Sequence, residues 1–402
     1  MRKNVKKQLA LRVLSTAVLM AMVSSIATAA FADTYDLNTG SVTVETRDDG
    51  ITYVTQKDAE INEHPDTTGV TITSNGTQTS NTITVETADK QTTNVTLQDV
   101  NIAVDTVKAK SGAIEIKGDG KTNLELNGDN TVLVENDWSE EHAAIEKADK
   151  YGHGTLTIKD DVNDNGKPKT GTKADTTGTL VAGGYHDAAA IGGGGGEFAD
   201  TSNITITGGK ITASGGTYGA GIGGGYTGDA SNIRIEGNAD VIAFGNSGAA
   251  IGSGYHSRVN SDITITDHAT VTAASLDGCG IGGGQDASGK VTITISGSAS
   301  VNAQTRNPPA AIGSDGSSAT VNIEDNADVT AVGSGVAIGT GYSEGTSTVI
   351  NITGGTVNAV TRDESKPAIG TVKGNLDLTI NSSTGKTTVN TYTTSSDPLS
   401  FN

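Results

Sequence analysis

The sequence predicts an all-β chain wound as a parallel β-helix, a solenoid of about 11 coils with about 30 residues and three short strands in each. Three observations predict it. The first is a motif, Ala/Gly-Ile-Gly, that recurs seven times between residues 190 and 370. Its isoleucines, Ile191, Ile222, Ile251, Ile281, Ile312, Ile338 and Ile369, are spaced by 31, 29, 30, 31, 26 and 31 residues. The second is a strict alternation of apolar and polar residues in short segments between the motifs, the period of half-buried strands. The third is composition. With 54 glycines but no Gly-X-Y triplet the chain is not collagen, and apolar β-branched residues at fixed intervals argue against disorder.

From the N-terminus, residues 1–32 read as a secretory signal peptide. A basic start (Arg2, Lys3, Lys6, Lys7, Arg12) precedes an apolar run that ends in Ala30-Phe31-Ala32. A membrane anchor is the competing reading, but the small residues at 30 and 32 favour cleavage, and no later apolar stretch reaches spanning length. Residues 33–50 are expected to form an N-terminal cap. The β-helix itself is expected over 51–393, because Ile51, Ile83, Ile114 and Ile145 extend the register at steps of 32, 31 and 31 residues. The step from Ile145 to Ile191 is 46, and its excess lies in a polar insertion at 160–177.

Each repeat supplies three segments, such as Ile204-Thr205-Ile206, Ile211-Thr212-Ala213 and Ala220-Gly221-Ile222, separated by Gly- and Asn-containing turns. Such short strands cannot make a sheet alone, but stacked repeats let each pair with its counterpart one coil away. At roughly 4.8 Å per coil the rod is on the order of 50 Å long. Asn94, Asn123, Asn203, Asn232 and Asn375, with Asp262, recur just before one segment of their coils and are expected to stack as an amide ladder. Residues 376–393 are expected to cover the last coil, and 394–402 to form a flexible tail. The glycine runs are read as tight corners with φ > 0. They are not phosphate loops, since no Lys-Ser/Thr follows them.

Charge narrows the partners. Loss of residues 1–32 removes five basic and no acidic residues, so the net charge becomes 22 − 46 = −24. Such a surface repels nucleic acid and anionic lipid and is compatible with gathering calcium. The single Cys279 cannot form an internal disulfide. It stands where other repeats have Ala189, Ala220, Ala249 and Ala310, and is read as a small buried residue rather than a reactive thiol.

The Gly-Ile-Gly-Gly-Gly at 221–225 and the Asn-Ile-Thr-Ile-Thr-Gly-Gly-Lys-Ile-Thr-Ala segment at 203–213 resemble a class of secreted bacterial right-handed β-helix proteins. Such repeats are frequent in surface and secreted proteins of gut and soil Gram-positives, and their layout is similar to that of calcium- and polysaccharide-binding β-helices. The resemblance covers residues 51–380. With the right-handed crossover rule it implies a right-handed helix, and it implies adhesion or carbohydrate binding at a cell surface.

The residues offer several candidate sites. Asp161-Val162-Asn163-Asp164-Asn165-Gly166 matches the opening of a calcium loop, with Asp161, Asn163 and Asn165 as oxygen ligands, although Thr172 stands where a bidentate Glu is expected. A solvated loop is the alternative. Tyr226, Tyr255 and Tyr342 each follow the motif isoleucine by four residues, so rings on adjacent coils could stack into a flat face for sugars. Tyr185, Tyr218 and His256 could join that edge, and Trp138 is a further platform in a charged loop. The alternative is aromatics packing on their neighbours.

A polysaccharide-cutting site needs carboxylates aligned on neighbouring coils. The outward file Thr205, Arg234, Thr264, Thr294, Asn322 and Asn351 holds none, and the six histidines show no metal-ligand spacing. The same file, broken by Arg234, is unlike an ice-binding array. The expectation is a secreted or cell-surface carbohydrate-binding or adhesive module that takes a polysaccharide without catalysis, with calcium as the candidate cofactor. The alternatives are a polysaccharide lyase or glycoside hydrolase, and a structural surface spacer.

Overall fold

The computed structural model describes residues 33–135, 142–161, 178–258, 260–341, 346–381 and 387–394. The chain is a parallel β-helix of three sheets. A first sheet of 12 strands runs from Asp33–Asp36 to Asn375–Ile380, and a second of 10 strands runs from Asn101–Asp105 to Thr388–Thr393. The third sheet has 13 strands, its parallel part running from Val42–Thr46 to Ile369–Thr371. At about 4.8 Å per strand the first sheet is roughly 50 Å long.

Register follows the sequence repeat. Ile204 pairs with Ile233 and Ile233 with Ile263 in the first sheet. Ile211, Val241 and Val271 align in the second, and Ile191, Ile222 and Ile251 in the third. These side chains are fully buried and form one contiguous core. Identical apolar residues recur above one another because each inward position meets its equivalent in the next coil.

Among the described residues, nine coils carry a strand in all three sheets, against about 11 expected. The difference lies at the ends, where coils lack one strand. It also corrects the N-terminal register. Val42, not Ile51, is the rung below Ile83. Labelling the first four strands β1 (Asp33–Asp36), β2 (Val42–Thr46), β3 (Thr52–Gln56) and β4 (Ile61–Asp66), β1 pairs in parallel with Val70–Thr73 and already belongs to the solenoid. Strand β3 runs antiparallel to β2, and β4 antiparallel to β3. The chain reverses at Asp48-Asp49-Gly50, where Gly50 has φ +78° and donates to the Arg47 carbonyl. Ile51 therefore falls in a hairpin and stands 38% exposed.

The glycine motif has a role different from corner-turning. The first glycine after each isoleucine is the second residue of a strand of two or three residues, as in Ile222–Gly223 and Ile312–Ser314. Gly192, Gly223, Gly252, Gly282, Gly313, Gly339 and Gly370 all have φ between +134° and +139°. A Cβ on any of the first six would run into the carbonyl oxygen of the next glycine in the column. Two residues outside this strand the chain is pinched, since Ala220 N–H donates to Gly224 O at 2.9 Å and Ala249 N–H to Ser253 O at 3.0 Å. The strand is thus an inward fold of the chain, and its flanking corners lean together over it. Tyr226 N–H reaches Asp187 O at 2.6 Å, and Tyr255 N–H reaches Tyr218 O at 2.9 Å.

Many acidic side chains tie one coil to the next. Asp99 accepts the Asp129 N–H at 3.1 Å, Asp200 the Asp229 N–H at 3.0 Å, and Asp267 the Gly237 N–H at 3.1 Å. The amide ladder is present only as separate rungs: Asn123 to Asn94 and Asn232 to Asn203, both 2.8 Å. Asp262 stands in line with Asn232, one residue before the Ile233–Ile263 pair, with Thr292 beyond it, while Asn375 pairs with Ser347. Further amide pairs join Asn351 to Asn322 and Asn390 to Asn358, each at 2.9 Å.

Cys279 is fully buried, and its N–H makes the same pinch bond, to Gly283 O at 3.0 Å. Burial pushes the thiol well above its ordinary pKa. A thiol-specific chromogenic reagent should therefore leave the native protein unlabelled and titrate one thiol per chain after denaturation.

Candidate functional site

The paired corners bring together residues that are far apart in the chain. Tyr218 lies in the corner entering the third sheet, while Tyr226 and Tyr255 lie in corners leaving it on successive coils. Tyr226 and Tyr255 stack with ring centroids 5.9 Å apart and planes at 24°. Tyr218 sits against both, 5.6 Å from Tyr226 and 5.2 Å from Tyr255. His186 meets the edge of Tyr218 at 5.2 Å, and His256 lies 3.9 Å from Tyr255. Burial, followed by the charge of Asp286, raises the Tyr255 phenol above its usual pKa. The five rings are half-buried and form one aromatic strip along the outer edge of the third sheet.

Beside the strip runs an open groove of about 550 Å³, lined among others by Tyr185, His186, Thr217, Tyr218, Phe244 and Asn246. Tyr185 is 42% exposed and lines the groove. Glycine keeps the floor bare, since a Cβ on Gly216 would meet the backbone of Tyr185 and His186. Among the described residues no Lys or Arg lines the groove. Two carboxylates flank the strip: Asp187, whose Oδ1 lies 2.7 Å from His186 Nδ1, and Asp286, which hydrogen-bonds the Tyr255 side chain.

Of the residues read from the sequence, the structure brings together Tyr218, Tyr226, Tyr255 and His256, adds His186, and places Tyr185 on the groove beside them. Tyr342 and Trp138 lie outside the described residues, as do Asn163 and Asn165 of the candidate calcium loop. Asp161 is described, and its carboxylate is held by the Lys159 ammonium at 2.8 Å. The outward file from Thr205 to Asn351 is in register as expected, strand by strand.

Sequence reasoning missed a second cluster. Glu115 and Glu146 pair directly in the third sheet, and Glu146 pairs in turn with Gly192. They occupy the glycine column in the two coils that precede the glycine motifs. The exposures of Glu115, Glu146 and His142 are 4%, 0% and 5%. One donor atom of each lies within 4.8 Å of the other two, which corrects the reading that no histidine has metal-ligand spacing. His142 Nδ1 is 2.9 Å from Glu146 Oε2, which also accepts the Ala143 N–H at 3.0 Å. That carboxylate thus replaces the carbonyl that pinches the other coils. Lys117 pairs with Glu115 at 2.8 Å.

Two aromatic side chains cover this cluster. Phe198 lies 5.0 Å from His142 and 5.3 Å from Tyr151. Lys117 stands over the Tyr151 ring at 4.5 Å. Burial raises the Glu146 pKa although His142 opposes it, and Glu115 adds to the rise. Two like charges about 5 Å apart repel by roughly 3 kcal/mol at an effective dielectric of 20, which a neighbouring cation or a proton on one carboxyl relieves. The legible signal was Ala144-Ile145-Glu146 standing in line with Ala190-Ile191-Gly192.

A family model described as a beta helix repeat matches residues 204–226, 263–285 and 350–371. The first two matches run from a first-sheet strand, through the second sheet, to the corner just past the Ile-Gly rung; the third ends on that rung. No curated protein and no solved structure matches the chain.

Proposed function

We propose that this parallel β-helix is a secreted or cell-surface carbohydrate-binding or adhesive module that takes a polysaccharide along the tyrosine-bearing edge of its third sheet, without cleaving it. The observation that carries the reading is the aromatic strip of Tyr218, Tyr226 and Tyr255 beside the open groove. A sugar ring has an apolar C–H face that a phenol ring can cover, and a polar rim that Asn246, Thr217 and His186 can hydrogen-bond. An open groove suits a polymer that extends past both ends of the contact.

The chemistry further favours neutral glycans. Among the described residues the groove offers no cation to pair with a uronate, and a mature chain of charge −24 repels a polyanion. Affinity electrophoresis of the full chain through gels containing neutral polysaccharides or polygalacturonate tests this directly. Retardation by at least one neutral polymer and none by polygalacturonate is expected. Free migration through every gel, and no signal on a glycan array, would end the carbohydrate reading and leave a structural spacer.

A lyase or hydrolase draws on the adjacent-coil carboxylates of Glu115 and Glu146, but both are closed off from solvent, which makes it the weaker reading. Release of reducing ends or unsaturated products from a polysaccharide would establish it instead.

A further inference from the structure

We infer that Glu115, His142 and Glu146 form a binding site for a single divalent transition-metal ion of the zinc type. The inference rests on a different set of residues from the aromatic edge and stands or falls separately from the glycan reading.

The donor set is the first ground. Two carboxylates and one imidazole each place a donor atom within 4.8 Å of the others, so a modest inward adjustment brings all three to bonding distance of one ion. A mixed nitrogen and oxygen set of three protein ligands, leaving a further position open, suits zinc-like ions. Calcium is disfavoured, because it seeks six to eight oxygens.

Origin is the second ground. Glu115 and Glu146 come from consecutive rungs of the third sheet, and His142 from the corner just before the second of them. The coil stacking that builds the core therefore holds the donors in place before any ligand arrives. From Gly192 onward the column is glycine, and below Glu115 it holds Thr84 and Thr43, so two successive buried glutamates are a departure from both.

The surroundings are the third ground. Ala143 N–H, His142 and Tyr151 hold the Glu146 carboxylate and Lys117 holds one oxygen of Glu115, which orients both carboxylates toward the shared centre. The Phe198 and Tyr151 rings shield the group from water. Two carboxylates and a neutral imidazole balance a charge of +2.

The test is Zn²⁺ titration calorimetry on the chelator-treated full chain, with Ca²⁺ as comparison. One Zn²⁺ per chain and a higher thermal midpoint are expected, with Ca²⁺ producing neither at the same concentration. Glu115→Gln, His142→Gln and Glu146→Gln should each weaken Zn²⁺ binding at least tenfold, while Asp161→Asn should not. Uptake unchanged in both Glu115→Gln and Glu146→Gln, or no uptake by the folded wild-type chain, would overturn the assignment. Should a variant fail to fold, zinc-edge X-ray absorption on the wild-type protein decides. A shell of one imidazole with oxygen donors supports the site, and an all-oxygen or multi-imidazole shell refutes it.

Discussion

Replacing Gly252 with alanine is expected to destabilise the protein by about 3 kcal/mol or more, read as a lower midpoint in urea unfolding. Two effects add. The backbone of Gly252 sits at φ +138°, a conformation that an L side chain adopts only under strain. The new methyl would also overlap the carbonyl oxygen of Gly282, which stacking fixes one rung away. Relief requires two coils to separate, and that breaks ladder bonds on both sides. Gly76→Ala is the matched control. Gly76 also has positive φ, at +70°, but no atom lies within 4 Å of its Cβ position. Its cost should be only about 1 kcal/mol. Equal losses for the two variants would show that dihedral strain, not the collision, governs the column.

Removing two rings from the aromatic strip should abolish most polysaccharide binding. Tyr218→Ala and Tyr255→Ala are each expected to weaken affinity about tenfold, or roughly 1.4 kcal/mol. The double variant should fall further than either single one. Tyr218 is the central ring, touching His186, Tyr226 and Tyr255 together, so its loss also frees its neighbours to move. Additivity is therefore not expected between these positions. Tyr218→Phe and Tyr255→Phe keep the ring faces and should retain most of the affinity. Binding that survives Tyr226→Ala combined with Tyr255→Ala would remove the stacked pair from the site. Unfolding midpoints of all variants should stay close to wild type, because the rings are half-buried and outside the core.

Much of this architecture was legible because a solenoid writes its contacts into the sequence at a fixed interval. Each isoleucine from Ile191 to Ile369 predicted the rung above it, and the sheet pairings follow that order. Interval counting failed at Ile51, where the spacing of 32 happens to match the period but Asp49-Gly50 makes a hairpin turn. Local turn chemistry overrode a coincidence of distance. The tyrosines were legible as members of one edge, because position within a coil fixes compass direction. The centrality of Tyr218 was not, since it depends on two corners closing over a strand of only two residues. Glu115 and Glu146 went unseen for a related reason. Attention to what the motif repeats hides the places where it is broken.

The glycine column has a consequence for how such a chain changes length. Ile312 and Ile338 are only 26 residues apart and Ile145 and Ile191 are 46 apart, yet both pairs align as neighbouring rungs. Surplus or missing residues are absorbed outside the rung, and the bearing of everything beyond is preserved. Tandem duplication or loss of a whole period would then lengthen or shorten the rod while every surviving side chain kept its heading around the axis. The rung acts as an index mark, so this architecture can gain or shed reach in single steps without rotating the edge that meets a partner.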